Sequence, residues 1–592
     1  MKPRPLPRGG AAASAFHIRK LAPWLIYTAV LACLSAVVYA ELFGGFGSRV
    51  FADNDDSSLF IWWIAHTADV VGGWLGRPTF DSSLLYTTAM NAPDGVNGAW
   101  NTSLVGIGLP LVPITWAFGP IVSYNLAIVC APVVSALAAA LLCRRFTAHL
   151  PAFFAGALYG FSTYTIAQSS GHLNLASAAF PPLVVLLMLL IARDRRWTVP
   201  FGIVLGWQFY ISTELLAGTF LAVLVFAASA SLSAWSHVRA SAPAVLRRGA
   251  IAAVIGLVIA APLLFTMWFR PNAPREAIRP HGVWNTDVLD AVTPGHYTRI
   301  GGGAKLPRIE PIDPSELGGY LSALWLVLCL IALIVLWKRS PAARTAALTG
   351  AGVWVLSLGS PVLLGGEQVL PLGPFRLVEL TPVLGNILPM RLMIHVVLAC
   401  SVLSALLMER ARALPVRALT GAGLASVLVL TTAAPVPARD LHIPAFYTQS
   451  IHDTIPAGSL VKTLPRPRAW AYPRADEAMV WQAVSGMHYR ETGGYFIGGR
   501  DDAPVTYAAP ADSLDILLEE KRGGPVPSAA ELQDGVRELC GGGVDYILIA
   551  DDGFYLPQSA PDIAQAVGEA AGVTPQHTGG VWMIKLNKEQ GC

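Results

Sequence analysis

The sequence predicts a polytopic α-helical membrane protein of about eleven transmembrane helices, followed by a C-terminal extracytoplasmic α/β domain. Three observations carry this expectation. Of the 592 residues, 54% are hydrophobic and 13% are charged, with a mean hydropathy of +0.52, values that suit a membrane chain and not a soluble enzyme of this size. Apolar runs of roughly twenty residues recur along the chain, separated by short basic clusters. After Pro437 the composition turns mixed polar and charged, with several prolines. The net charge of +3 is near neutral for this length and argues against a nucleic-acid partner. Seven cysteines are scattered without a CxxC or Cys/His cluster, so neither a zinc site nor a disulfide framework is indicated.

The elements follow in chain order. MKPRPLPRGG opens a basic, Pro/Gly-rich cytoplasmic tail over 1–20. Arg19 and Lys20 precede the apolar run from Leu21 to Phe43, which is too long for a signal peptide and shows no obvious cleavage site, so it reads as an uncleaved first span. Arg144-Arg145, RDRR at 193–196, Arg247-Arg248, Lys338-Arg339 and ERAR at 409–412 are all cytoplasmic if the chain crosses twice between successive clusters. Spans at 21–43, 121–142, 150–168, 173–192, 198–212, 215–235, 249–269, 317–337, 345–363, 389–408 and 416–435 satisfy that parity. The run 103–119 reads as interfacial or re-entrant, because a twelfth span would put one basic cluster on the wrong side.

The transmembrane domain thus covers 21–437, with a first outer loop at 44–120 and a second at 270–316, and the outer domain covers 438–592. Within that domain SAAELQDGVRELCGGG reads as a helix ending in glycine, and VDYILIA and GVWMIKL read as strands. The expected location is the plasma membrane, with the N-terminus cytoplasmic and the C-terminal domain outside.

The first outer loop opens with FADNDDSSLFIWWIAH at 51–66. Asp53, Asp55 and Asp56 crowd three carboxylates into four positions, so one pKa rises or a cation binds among them. A carboxylate at a membrane surface also suits a general base that takes a proton from a hydroxyl. A plain acidic turn after a span is the alternative. The stretch that follows carries Leu59, Trp62, Trp63 and His66 near one helical face, as expected of a helix lying at the interface. NAPDGVNGAWNTS at 91–103 is a loop rich in amides, with Asn91 and Asn101 among those able to hydrogen-bond sugar hydroxyls.

These features together resemble the GT-C class of polytopic membrane glycosyltransferases. The resemblance rests on Asp56 through Trp62 with the preceding acids, NAPDGVNGAWNTS, Phe118-Gly119, GHLNL at 171–175, ELGGYLS at 316–322 and LPMRLMIHVVLA at 388–399. It covers residues 21–435, and it is nearest the bacterial branch close to oligosaccharyl, mannosyl and aminoarabinose transferases. It implies transfer of a sugar from a polyprenyl-phosphate donor on the outer face, with a glycan, lipid or protein hydroxyl as acceptor and inversion at the anomeric carbon. It also implies that an Asp of the first outer loop is the base. Asp56 aligns best, Asp55 next and Asp53 third. The DxD formed by Asp53 and Asp55 leaves open a divalent metal, Mg or Mn; members of the class differ on this, and no other cofactor is implied.

Other candidates complete the site. His172 and Asn174 lie in the outer turn between two spans and suit an acceptor or phosphate pocket, or simply cap a helix. Glu214 sits between two apolar runs, where an acid is expensive unless it faces water or a partner. Arg391 in LPMRLM and Arg376 in GPFRLVEL suit a lipid-linked phosphate, as does Arg299 in the basic loop 270–316, which also carries Arg279. HYRETGGYF at 488–496 suits either sugar stacking or packing of the outer domain onto the spans. The rival functions are a lipid-linked glycan flippase and a non-catalytic envelope-assembly subunit. Against a transporter, nearly all acids sit in loops and no internal repeat is visible.

Overall fold

The computed structural model describes residues 10–51, 55–300, 314–381, 384–411, 413–432, 435–468, 474–521, 524–551 and 560–587. Among these, six helices are long and apolar enough to cross a membrane: Leu21–Val38, Pro120–Cys143, Leu173–Arg193, Thr213–Phe269, Pro389–Arg410 and Leu414–Thr431. Val105–Phe118 and Ala323–Leu336 are shorter apolar helices. The chain is a mostly helical membrane protein.

The six helices overlap seven of the eleven expected spans, and 150–168, 198–212, 317–337 and 345–363 hold shorter helices. The run 150–168 divides into His149–Gly160 and Thr163–Gln168, because the Ser162 side chain caps the second piece by accepting from the Thr165 N–H. The runs 215–235 and 249–269 join into one helical stretch, Thr213–Phe269, broken only where Ala234 leaves helical geometry. The run 198–212 stops at Phe209, and 345–363 becomes the helix Pro341–Ser357 followed by a hairpin of Val362–Leu364 and Glu367–Leu370. Val105–Phe118 has a length of about 21 Å at 1.5 Å per residue, short of a ~30 Å hydrocarbon core. It turns directly into Pro120–Cys143 at Gly119, whose φ of 88° favours glycine.

The helix Asp56–Trp74, expected at the membrane interface, lies instead inside the protein, with Trp62, Trp63 and His66 all fully buried. The C-terminal segment covers it. Its helix Glu477–Val484 packs on Asp56–Trp74, Gln482 Oε1 accepts from Trp62 Nε1 at 2.6 Å, and Ser58 Oγ donates to Asp476 Oδ2 at 2.6 Å. Indole rings that suit a lipid interface suit such a covered seam equally, since each offers a large apolar body and one N–H.

The C-terminal segment holds a five-stranded sheet in the order Gln576–Thr578, Val581–Lys585, Tyr546–Ala550, Leu460–Leu464, Arg490–Glu491. Tyr546–Ala550 runs parallel to Leu460–Leu464 and antiparallel to Val581–Lys585. Its alternate residues serve two cores. Ile547 and Ile549 pack with Leu532, Val536 and Ile563 of the helices Ala529–Gly541 and Ala560–Ala571. Tyr546, Leu548 and Ala550 pack with Phe446, Tyr447 and Trp481. Cys540, in the first of those helices, is disulfide-bonded, so one bridge exists where the scattered cysteines indicated no framework.

Candidate active site

Asp56 is the first residue of the helix Asp56–Trp74, where the partial positive end of the helix favours a carboxylate. Its two oxygens are held from opposite sides. Oδ2 lies 3.0 Å from His172 Nε2, and Oδ1 accepts from the Tyr495 hydroxyl at 2.5 Å. Burial would push the Asp56 pKa up, but the His172 and Tyr495 hydrogen bonds and the His172 and Arg279 charges outweigh it, and the carboxyl titrates below its usual range. Tyr495 moves the other way. Burial and the adjacent Asp56 charge push its phenol well above the usual value, so it remains a proton donor.

A chain of polar groups continues from His172. Its Nδ1 stands 3.8 Å from Glu316 Oε1. Glu316 accepts from Arg391 Nε at 3.0 Å and from Gln168 Nε2 at 3.2 Å. Burial opposes its ionisation, but the attraction of Arg391, aided by His172, brings its pKa down to about 2. Arg391 sits in the turn Pro389–Leu392 and also forms an ion pair with Glu214. Glu214 Oε1 in turn accepts from the Leu388 N–H at 3.1 Å. The guanidinium is therefore clasped between two carboxylates.

Asp56, His172, Glu214 and Arg391 face one cavity of about 420 Å³. Asn101, Asn174, Arg279 and Asn386 add polar groups to it. Leu216, Phe220, Leu264 and Trp268, all from Thr213–Phe269, form an apolar wall. Phe220 and Trp268 are 53% and 58% exposed, so this wall reaches the apolar outer surface of that helix.

The remaining candidates from the sequence lie as follows. Asp55 is the N-cap residue of the Asp56–Trp74 helix and does not line the cavity. Asp53 lies outside the described residues, and with it the DxD pair. Among the described residues, no group of three or more His, Cys, Asp or Glu side chains is arranged to hold a metal ion. Asn91 is buried in a turn, donating to the Gly95 carbonyl at 2.9 Å. Asn101 lines the cavity but is occupied at both ends, donating to the Ile497 carbonyl at 2.7 Å and accepting from the Ile497 N–H. Asn174 Nδ2 reaches Ser212 Oγ at 3.4 Å. Arg376 pairs with Glu379 at 3.0 Å, Arg299 is exposed, and neither lines the cavity.

Three side chains of the site, Glu316, Arg279 and Tyr495, are marked in the sequence only as parts of longer stretches, ELGGYLS, the basic loop and HYRETGGYF. Glu316 carries a local signal, as the last acid before GGYLS and an apolar run, after Glu310 and Asp313. Arg279 is one of many basic residues in its loop, and Tyr495 lies 439 positions from Asp56, so nothing local marks either one.

No family model matches the chain, and no curated protein matches it. In structure the chain is similar to membrane glycosyltransferases. The apo oligosaccharyltransferase of Archaeoglobus fulgidus is 11% identical, with 89% of this chain and 69% of that one covered at a TM-score of 0.45. AglB of the same organism, in complex with an inhibitory peptide and a dolichol-phosphate, is 11% identical over 93% of this chain and 72% of its own, also at 0.45. ArnT from Cupriavidus metallidurans, bound to undecaprenyl phosphate, is 12% identical over 95% and 98%, at 0.44. A further structure of the Archaeoglobus enzyme is a complex with Zn and sulfate.

Proposed function

We propose that this chain is an outer-face glycosyltransferase that moves a sugar from a polyprenyl-phosphate donor to a hydroxyl acceptor, with Asp56 as the base. One observation carries the reading: a half-buried, ionised carboxylate shares a cavity with the cation Arg279 and with an apolar wall that runs out to the surface of a long apolar helix. Those three features match an acceptor hydroxyl, a phosphate and a lipid tail respectively.

In the proposed step the acceptor hydroxyl gives its proton to Asp56, and its oxygen attacks the anomeric carbon. The bond from that carbon to the phosphate oxygen breaks, and the phosphate leaves with the electron pair. A single displacement of this kind inverts the anomeric centre. Stabilising the leaving charge is the larger part of such catalysis. Arg279 suits that task better than Arg391, because Arg391 already donates to Glu214 and Glu316, whereas among the described residues Arg279 stacks on Trp284 and forms no ion pair. Arg391 acts instead as the post on which Glu316, and through it His172, is aligned. The disulfide at Cys540 supports an outer location for the C-terminal segment, since such bonds persist where thiols are kept oxidised.

The test is Asp56→Asn in the purified full chain, assayed for transfer from undecaprenyl-phosphate monosaccharides carrying a labelled sugar. Loss of a general base lowers the rate by roughly 10²–10⁴-fold. Undiminished transfer by the variant overturns the assignment.

A further inference from the structure

We infer that Tyr495, carried in from the C-terminal segment, is a positioning residue that fixes the rotamer of Asp56 and keeps it ionised. The inference rests on the reading of Asp56 as the base, but its main test does not.

The geometry starts with how the strand Tyr495–Gly498 reaches the site. Two glycines precede Tyr495. Gly494 has φ 151°, and a Cβ there would meet Met90 Cγ at 2.4 Å; one on Gly493 would meet Pro467 Cδ at 2.6 Å. Bare backbone therefore lets this segment lie directly on the first outer loop. It is laced there by Asn91 N–H to the Gly493 carbonyl at 2.9 Å, by Glu491 N–H to the Ala89 carbonyl at 2.9 Å, and by both ends of the Asn101 amide on Ile497. The Tyr495 ring is 4% exposed. Its hydroxyl ends on Asp56 Oδ1 at 2.5 Å, while His172 holds Oδ2.

The Tyr495 hydroxyl on Oδ1 and His172 Nε2 beside Oδ2 together fix the orientation of the carboxylate. A short bond from a neutral donor favours the ionised acceptor and opposes its protonation. His172, Arg279, Tyr124 and Asp55 also bear on this pair. None of these four belongs to the C-terminal segment, whereas Tyr495 does. The fold therefore makes the state of the base depend on docking of that segment.

The experiment compares the full-length wild type, Tyr495→Phe and Asp56→Asn in lipid nanodiscs. Phenylalanine keeps the buried ring and removes only the hydroxyl. Infrared-detected acid titration follows the carboxyl band that Asp56→Asn deletes. The expected result is a midpoint raised by about one pH unit in Tyr495→Phe, the size of one hydrogen bond. The acid limb of transfer from labelled undecaprenyl-phosphate monosaccharides should rise by the same amount, with kcat lowered and the donor KM unchanged. An unshifted infrared midpoint overturns the role of Tyr495 even if Asp56→Asn is inactive. A shifted midpoint together with a fully active Asp56→Asn upholds the Tyr495 contact and overturns Asp56 as the base.

Discussion

Replacing Glu316 by Gln removes one of the two carboxylates that clasp Arg391. The Glu316 side chain is 3% exposed, so solvent screens its interactions little. Its pKa falls from the ordinary 4.5 to about 2, which corresponds to ~3 kcal/mol of net stabilisation of the charged form. That figure sits at the low end of the ~3–5 kcal/mol cost of breaking a buried ion pair. The low end is expected, because Arg391 keeps Glu214 and is not left alone. A carboxyl whose pKa is depressed on folding contributes stability that is present above the unfolded value of 4.5 and is lost as pH falls toward about 2. Glu316→Gln should therefore be less stable than wild type by ~3 kcal/mol near neutral pH, and the gap should close as the medium is acidified through that window. Denaturant unfolding of the full chain in detergent at a series of pH values measures both quantities. Glu214→Gln serves as the internal comparison. Its carboxylate is 22% exposed, so its loss should cost less. If Glu316→Gln matches wild type at neutral pH, or if the gap does not change with acid, the account of a clasped guanidinium is refuted.

Two further expectations follow from the cavity and from the seam beside it. Arg279→Ala should raise the donor KM roughly 10- to 100-fold, the scale of one charge-assisted hydrogen bond, with Arg279→Lys recovering part of it in steady-state kinetics. Gln482→Leu should destabilise docking of the C-terminal segment by about 2–4 kcal/mol, because the Trp62 N–H and the Tyr489 carbonyl lose their partner together and the Ala89 carbonyl keeps only the Glu491 N–H. Limited proteolysis should then release that segment at lower denaturant than in wild type.

Much of this was legible in the chain because it depends on local pattern. A helix ending in glycine was read from SAAELQDGVRELCGGG and is found at Ala529–Gly541. Strands were read from VDYILIA and GVWMIKL and are found at Tyr546–Ala550 and Val581–Lys585. Asp56 stands out through the resemblance to the GT-C class, and His172, Glu214 and Arg391 through residue type and place beside apolar runs; the fold gathers all four at one cavity. Span boundaries were less legible. A side-chain N-cap such as Ser162 starts a new helix within what hydropathy reads as one run.

Hydropathy and charge in the chain alone determined that the protein is a helical membrane protein with a polar end, and that acids cluster just after its first apolar run. Tertiary structure decided what surrounds Asp56. It covered Trp62 and Trp63 with the C-terminal segment, closed Glu214 and Glu316 on Arg391, and left Arg279 facing the cavity. It also brought Tyr495 to Asp56 across 439 positions. The physical reason is range. Hydrophobic pattern acts within a turn or a span, whereas the ionisation of a buried carboxylate depends on donors and charges within a few ångströms, whatever their distance along the chain.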